Sequence, residues 1–281
     1  MRYRGPPMGR LREFADAREL MVNLTLRELR SKYKKSVLGW TWSMLNPLST
    51  MIIFTVVFSF FLKVKPSIGH PSGLDSFAMF LLCGLLPWNF FSGGMTVGVD
   101  CLIGNSNLIK KVYFPREVII ISTVAALFVS FMIEMGVLTA ALLVVGNMVL
   151  PWLPIVFMLM LIEGAFVLGI GLLLSTFNVY FRDVKHLIVI MSNALFYSMP
   201  IVYPISVVPV HAHILGVKVP FRMLYSLNPL VRMVNSFRAA LYDLKWPAFN
   251  DVAYMAIWAV GLCVVGLWMF QKFERRIAEE L

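Results

Sequence analysis

The sequence predicts an all-α integral membrane protein. Its expected elements are six transmembrane helices, an N-terminal amphipathic interfacial helix, and two re-entrant half-helices between the fifth and sixth spans. Three observations lead there. Of 281 residues, 59% are hydrophobic and only 14% are charged, more apolar surface than a water-soluble domain of this size can bury. The apolar residues gather into stretches near the length that a bilayer demands, about 20 residues for about 30 Å of hydrocarbon. The basic residues lie outside those stretches and are unevenly shared between alternate loops.

The first element is the N-terminal segment 1–36. Leu11, Phe14, Ala17, Met21 and Leu24 recur every three or four residues, with Arg12, Asp16, Glu19, Asn23, Arg27 and Arg30 on the opposite arc. That pattern predicts a helix lying in the membrane interface. The rest, 37–281, reads as one six-span domain without an internal repeat or a Ser/Gly-rich linker. The expected spans are Val37–Leu62, Leu74–Thr96, Val118–Gly146, Leu153–Thr176, His186–Tyr203 and Val252–Phe270. Between the last two, Pro204 to Asp251 is too apolar for a solvated loop and too broken for a crossing. Pro200, Pro204, Pro209, Gly216 and Pro220 interrupt it, and Asn228-Pro229 reads as a helix cap with a first-turn proline. Two re-entrant half-helices bordering a pathway fit this pattern.

An even number of spans puts both termini on one side. That side holds 18 Lys and Arg residues against 7 on the other, which makes the termini cytoplasmic. The formal charge of +10 does not point to nucleic acid, because 10 of the 25 basic residues fall between Arg2 and Lys35, a segment too short for a binding module. An anionic membrane face explains them. The N-terminus has no signal-peptide core and cleavage site, so the first span is expected to stay. Cys83, Cys101 and Cys263 lie in or beside apolar spans without metal or disulfide spacing and read as buried thiols.

Residues for enzyme chemistry do not assemble. His70, His186, His211 and His213 are scattered, and His211 and His213 lack a third ligand for a metal. Glu134 and Glu163 stand inside apolar spans at comparable depth. They either bond neighbouring helices, the favoured reading, or form a proton relay in a secondary transporter or flippase. Phe54, Phe58, Trp88, Phe91, Phe196, Tyr197 and Tyr203 supply rings that face lipid or line a conduit for sugars. No Gly-Lys dipeptide occurs, so a P-loop is absent and any ATP is bound by another chain.

The run from Arg27 through Phe61, RELRSKYKKSVLGWTWSMLNPLSTMIIFTVVFSFF, resembles the start of the ABC-2-type permeases that export lipid-linked polysaccharides and teichoic acids. GLLPWNFF, NSNLIKKVYFPREV, NVYFRDVKH, FYSMPIVYP and LYSLNPL follow in the family's order. The resemblance implies a homodimeric membrane half with two copies of a separate ABC ATPase subunit, in a bacterial plasma (inner) membrane. It implies a polyprenyl-diphosphate-linked glycan, such as an O-antigen or teichoic acid, as cargo. This chain would be no enzyme and hold no cofactor, with ATP and magnesium on the partner. The N-terminal helix and the loop after the second span would meet the ATPase, through Asn105, Ser106, Lys110, Lys111, Tyr113, Phe114 and Arg116. Asn105 or Ser106 is expected to cap a short helix ending at Lys111, and Phe114-Pro115 to stop it. Trp88, Phe196, Tyr197 and Tyr203 are the expected glycan path. Arg27, Arg30, Lys32, Lys34 and Lys35 are the expected contacts to anionic headgroups or to the cargo's diphosphate.

Overall fold

The computed structural model describes residues 17–33, 39–61, 68–112, 114–214 and 217–280. Ten α-helices account for most of them: α1 Arg18–Tyr33, α2 Trp42–Phe54, α3 Phe77–Gly104, α4 Ser106–Lys111, α5 Glu117–Val144, α6 Leu153–Tyr180, α7 Val184–Ser198, α8 Phe221–Tyr225, α9 Pro229–Arg238 and α10 Phe249–Glu280. A short antiparallel hairpin, β1 Ala212–Ile214 with β2 Val217–Val219, pairs His213 with Lys218.

Four helical stretches are long and apolar enough to cross a bilayer: Phe77–Lys111, Glu117–Val144, Leu150–Tyr180 and Phe249–Glu274. They correspond to the second, third, fourth and sixth expected spans. The first and fifth are represented by shorter apolar helices, Leu45–Phe58 and Val184–Ser198. In the first, α2 contains Pro47 and gives way at Thr55 to π-helical turns through Phe61. In the fifth, the helix stops at Ser198, five residues before the expected end, because Pro200 cannot continue it.

Among the described helices, α3 is the central one. It packs against α6, α5 and α9, and close backbone approach sets the distance. A Cβ on Gly98 would come within 2.9 Å of Gly171 Cα, and one on Gly266 within 2.7 Å of the Gly169 carbonyl oxygen, so only glycine permits these α3–α6 and α6–α10 crossings. Phe90 of α3 stacks on Phe131 of α5 with centroids 4.7 Å apart, and Phe131 meets Phe237 of α9 at 6.3 Å. The α10 helix lies at the periphery, with Ile257, Trp258, Val260, Val264 and Trp268 exposed along it. Cys83 and Cys101 are buried, Cys263 is half-buried, and all three are free thiols.

The segment between α7 and α10 departs from two equal half-helices. Its first part is a 3-10 turn, the hairpin and the five-residue α8; its second is α9, prolonged by a π-helical turn over Ala239–Asp243. Pro204, Pro209 and Pro220 deny the first part a continuous ladder, and β-branched Val217 and Val219 suit a strand. In the second part the helix cap is the one the sequence predicts: Asn228 accepts a hydrogen bond from the Leu230 amide at 3.0 Å, with Pro229 in the first turn. Leu230, Val231, Met233, Val234 and Phe237 are buried around it.

Candidate functional site

The N-terminal helix and the loop between α3 and α5 meet at one end of the bundle. Ala17 and Leu24 of the N-terminal segment are buried against Val118 of α5, with Leu20, Met21, Leu108 and Phe114 packed around them. The apolar stripe of α1 is therefore covered by protein over its described length; the residues before Ala17 lie outside the described ones. The Thr25 hydroxyl donates to the Met21 carbonyl at 2.8 Å and approaches the Ser122 carbonyl at 3.4 Å. The Arg27 guanidinium donates to Asn105 Oδ1 at 2.6 Å and pairs with Glu28 at 2.7 Å.

Asn105 occupies the cap position of α4, but neither its side chain nor that of Ser106 caps the helix. The Asn105 amide instead donates to the Cys101 carbonyl at 2.8 Å while its oxygen serves Arg27. The expected cap loses because Arg27 supplies a charge-assisted bond. Lys110 and Lys111 are exposed at the end of α4. Phe114 is half-buried, packed on the cluster of Ala17, Leu24 and Val118 and on the main core. Arg116 donates to the Glu274 carbonyl of α10, and Tyr180 of α6 meets Phe273 edge-on at 5.7 Å. Lys185, just inside α7, pairs with Asp100 of α3 at 2.6 Å. The described residues of the set expected to meet the ATPase thus fall in a junction of α1, α4, α5 and α10. Tyr113, Lys34 and Lys35 and the side chain of Lys32 lie outside the described residues; Arg30 is exposed on α1.

A second assembly joins three of the four expected path residues directly. Trp88 lies 6.0 Å from Phe196 and 5.7 Å from Phe91, and Phe196 meets Tyr197 edge-on at 5.2 Å. Tyr203 joins through hydrogen bonds: its hydroxyl reaches the Tyr197 and Ser198 carbonyls at 3.3 and 3.2 Å, and the Tyr225 hydroxyl at 3.3 Å. Their exposures differ sharply, Trp88 being 4% exposed and Tyr197 77%. Tyr197 offers an open ring face, and Trp88 supports the cluster from behind. Beside them α3 presents exposed Asn89 and Thr96 and half-buried Ser92 and Asp100 along one side.

The two membrane-embedded carboxylates do not form a bonded pair. Glu163 is 1% exposed and points between α6, α9 and α10, among Leu159, Phe166, Pro229, Leu230, Met233 and Met255. Neither of its carboxyl oxygens has a hydrogen-bond partner among the described residues. Glu134 is half-buried on α5, which contributes nothing to that surrounding. His211 is exposed, and the side chain of His213 lies outside the described ones.

Arg238 escaped the sequence reading. It is 5% exposed at the end of α9. Its guanidinium donates to the carbonyls of Phe80, Pro200 and Ile201 and lies 3.8 Å over the Phe80 ring. One side chain thereby ties α9 to α3 and to the break after α7. The signal was an arginine in a segment too apolar to be solvated, whose donors had to find acceptors inside the protein.

Four long apolar helices packed into one bundle mark a multi-pass membrane protein. The chain matches the ABC-2 type transporter family over residues 19–242 and belongs to that family. It is 30% identical to an O-antigen export system permease protein RfbA of Klebsiella pneumoniae, over 94% of this chain and 95% of that protein. It is 26% identical to the protein of the same name from Myxococcus xanthus, over 96% and 98% of the two chains. It is 24% identical to the polysialic acid transport protein KpsM of Escherichia coli, over 89% and 92%.

Proposed function

We propose that this chain is the permease subunit of an ABC exporter that carries a polyprenyl-diphosphate-linked polysaccharide outward across a bacterial inner membrane. A homodimer of the chain works with two copies of a separate ATPase, and each subunit crosses six times with both termini in the cytoplasm. The family membership and the names of its relatives support the class of cargo. One observation carries the mechanical part of the reading: the junction of α1, α4, α5 and α10. Leu108 and Phe114 pack on the same small cluster as Ala17 and Leu24, Arg27 bonds Asn105, and Arg116 reaches α10. A push on α1 or α4 is therefore delivered to the ends of two long helices together, which is what a chain without a nucleotide site needs from its partner.

In this reading Asn105, Ser106, Lys110, Lys111, Tyr113, Phe114 and Arg116 form the coupling region. Arg30, Lys32, Lys34 and Lys35 hold α1 near anionic headgroups. The rings of Phe196, Tyr197 and Tyr203, backed by Trp88, border the path beside the polar side of α3. A helix facing lipid alone would pay a desolvation penalty for exposed Asn89 and Thr96, so that side of α3 faces water, cargo or the second subunit. The test is reconstitution of the chain and its ATPase in vesicles with the lipid-linked glycan. Export should require hydrolysable ATP on the partner; export that continues with hydrolysis blocked and follows a proton gradient overturns the proposal.

A further inference from the structure

Where the N-terminal helix crosses the bundle, α1, α3 and α5 line an open depression of about 490 Å³. That lies within the range of small-molecule sites, about 300 to 1,000 Å³. Its polar lining comprises Arg27, Glu28 and Ser31 of α1, Asp100 of α3, Asn105, and Thr123 of α5. Val97, Cys101 and Gly104 of α3 make an apolar strip along one wall.

The charges of this depression are satisfied in pairs. Arg27 sits 2.7 Å from Glu28 and 2.6 Å from Asn105 Oδ1, and Asp100 holds Lys185 at 2.6 Å. With Lys185 supplied from beside the lining, the two cations and two carboxylates among the described residues leave no net charge. A diphosphate, which carries at least two negative charges, would meet two carboxylates and, among the described lining residues, no uncommitted cation. A sugar hydroxyl both donates and accepts. Carboxylate and amide oxygens, guanidinium N–H groups and the hydroxyls of Ser31 and Thr123 offer both kinds of partner within one opening. The strip from Val97 to Gly104 matches the less polar C–H face of a pyranose ring. At Gly104 the depression reaches the helix backbone itself, since a Cβ built there meets nothing within 4 Å.

We infer that this depression binds a neutral, hydroxyl-rich sugar unit of the exported glycan, and that Arg27 reads sugar and not phosphate. The inference rests on the export reading above and adds to it a site that selects cargo by its sugar.

The experiment uses the purified chain in lipid nanodiscs with its ATPase bound. Saturation-transfer NMR is recorded with methyl glycosides of common neutral hexoses and N-acetylhexosamines, and separately with inorganic pyrophosphate. At least one glycoside should give transfer that pyrophosphate does not displace. Gly104→Phe fills the depression without altering a charge and should weaken that binding about tenfold or more, a change of about 1.4 kcal/mol. Ser31→Trp, on the exposed side of α1, fills it from the other wall if Gly104→Phe fails to assemble with the ATPase. Binding that is unchanged in the filled variants, displacement by pyrophosphate, or no transfer from any glycoside overturns the inference. ATP-driven glycan export by the unaltered complex is scored separately: export without glycoside binding sinks this site alone, and a complex that binds glycosides but exports no glycan sinks the function.

Discussion

The two ends of the helix bundle are fastened in different ways. At the basic end, α1 and α4 meet α5 through a small apolar cluster, and Arg27 of α1 reaches Asn105 by a hydrogen bond that stays partly in water: the Arg27 and Glu28 side chains are 46% and 32% exposed. At the far end, α9 and its π-helical turn are fixed by buried hydrogen bonds. The Tyr242 hydroxyl donates to the Leu74 carbonyl at 2.8 Å, Asn147 donates to the Leu241 carbonyl at 2.9 Å, and Arg238 binds three carbonyls on two other elements. A buried hydrogen bond resists rearrangement because the freed groups have no water to turn to, whereas an exposed ion pair exchanges partners at little cost. The far end therefore holds one arrangement firmly, and the basic end yields to a partner.

The largest test of that contrast is Arg238→Met. It leaves the carbonyls of Phe80, Pro200 and Ile201 without this donor, each costing about 1 to 3 kcal/mol if it stays dry, so a loss of several kcal/mol is expected. Thermal unfolding of the purified protein measures it. Arg238→Lys should recover only part, since an ammonium lacks the planar fork that spans separate acceptors. A fully stable Met variant would show that the far end is not locked by this residue.

A smaller effect is expected from Phe114→Ala, which removes a half-buried ring from the cluster of Ala17, Leu24 and Val118. A loss of about 1 to 2 kcal/mol, below that of a fully buried Phe, should appear as faster amide exchange in α1 with the far end unchanged. Combined with Tyr113→Ala the change leaves every charge in place, so insertion and orientation should survive while ATP-driven export falls. Normal insertion, ATPase binding and export in the double variant would remove the loop from the coupling path.

Both ends were unequally legible in the sequence. Helix periods and span lengths follow from local composition, so the long helices α3, α5, α6 and α10 lie where the apolar stretches predict them. The Asn228-Pro229 cap is equally local. What escaped depends on contacts distant in sequence. Arg27 and Asn105 are separated by 78 positions and Arg238 and Phe80 by 158, and nothing in either neighbourhood signals the other. The stripe of α1 was readable as amphipathic, but a stripe does not say whether lipid or α5 covers it. Glu134 and Glu163 were placed in one layer by depth; helix rotation, which depth cannot give, turns Glu163 toward α9.

Tyr242→Phe sharpens the contrast from the far end with a minimal change. The ring and its edge-on contact to Phe80, at 5.6 Å, remain, and only the hydroxyl bonds to Leu74 and Ser76 are lost. About 1 kcal/mol of stability should go, detectable as a lower unfolding midpoint. No change would mean that the Leu74 carbonyl finds water, and that this end is wetter than its burial indicates.

The smallest effect belongs to Arg27→Ala, and it bears most directly on what kind of fastening the basic end has. The pair with Glu28 joins neighbours on one helix and adds nothing between elements; only the bond to Asn105 links α1 to the loop. For side chains this exposed, the stability change should stay below about 1 kcal/mol. Salt separates the two ends in the same experiment. The Debye length falls to about 3 Å at 1 M ionic strength, enough to screen an exposed pair but not a buried hydrogen bond. Amide exchange in α1 should therefore rise with salt in the unaltered protein, and Arg27→Ala should already show the raised rate at low salt and respond less to further addition. Over the same range, exchange in α9 and the turn at Tyr242 should not move. A salt response in α9 equal to that in α1 would show that charge fastens both ends alike, and the division between a locked end and a yielding end would fail.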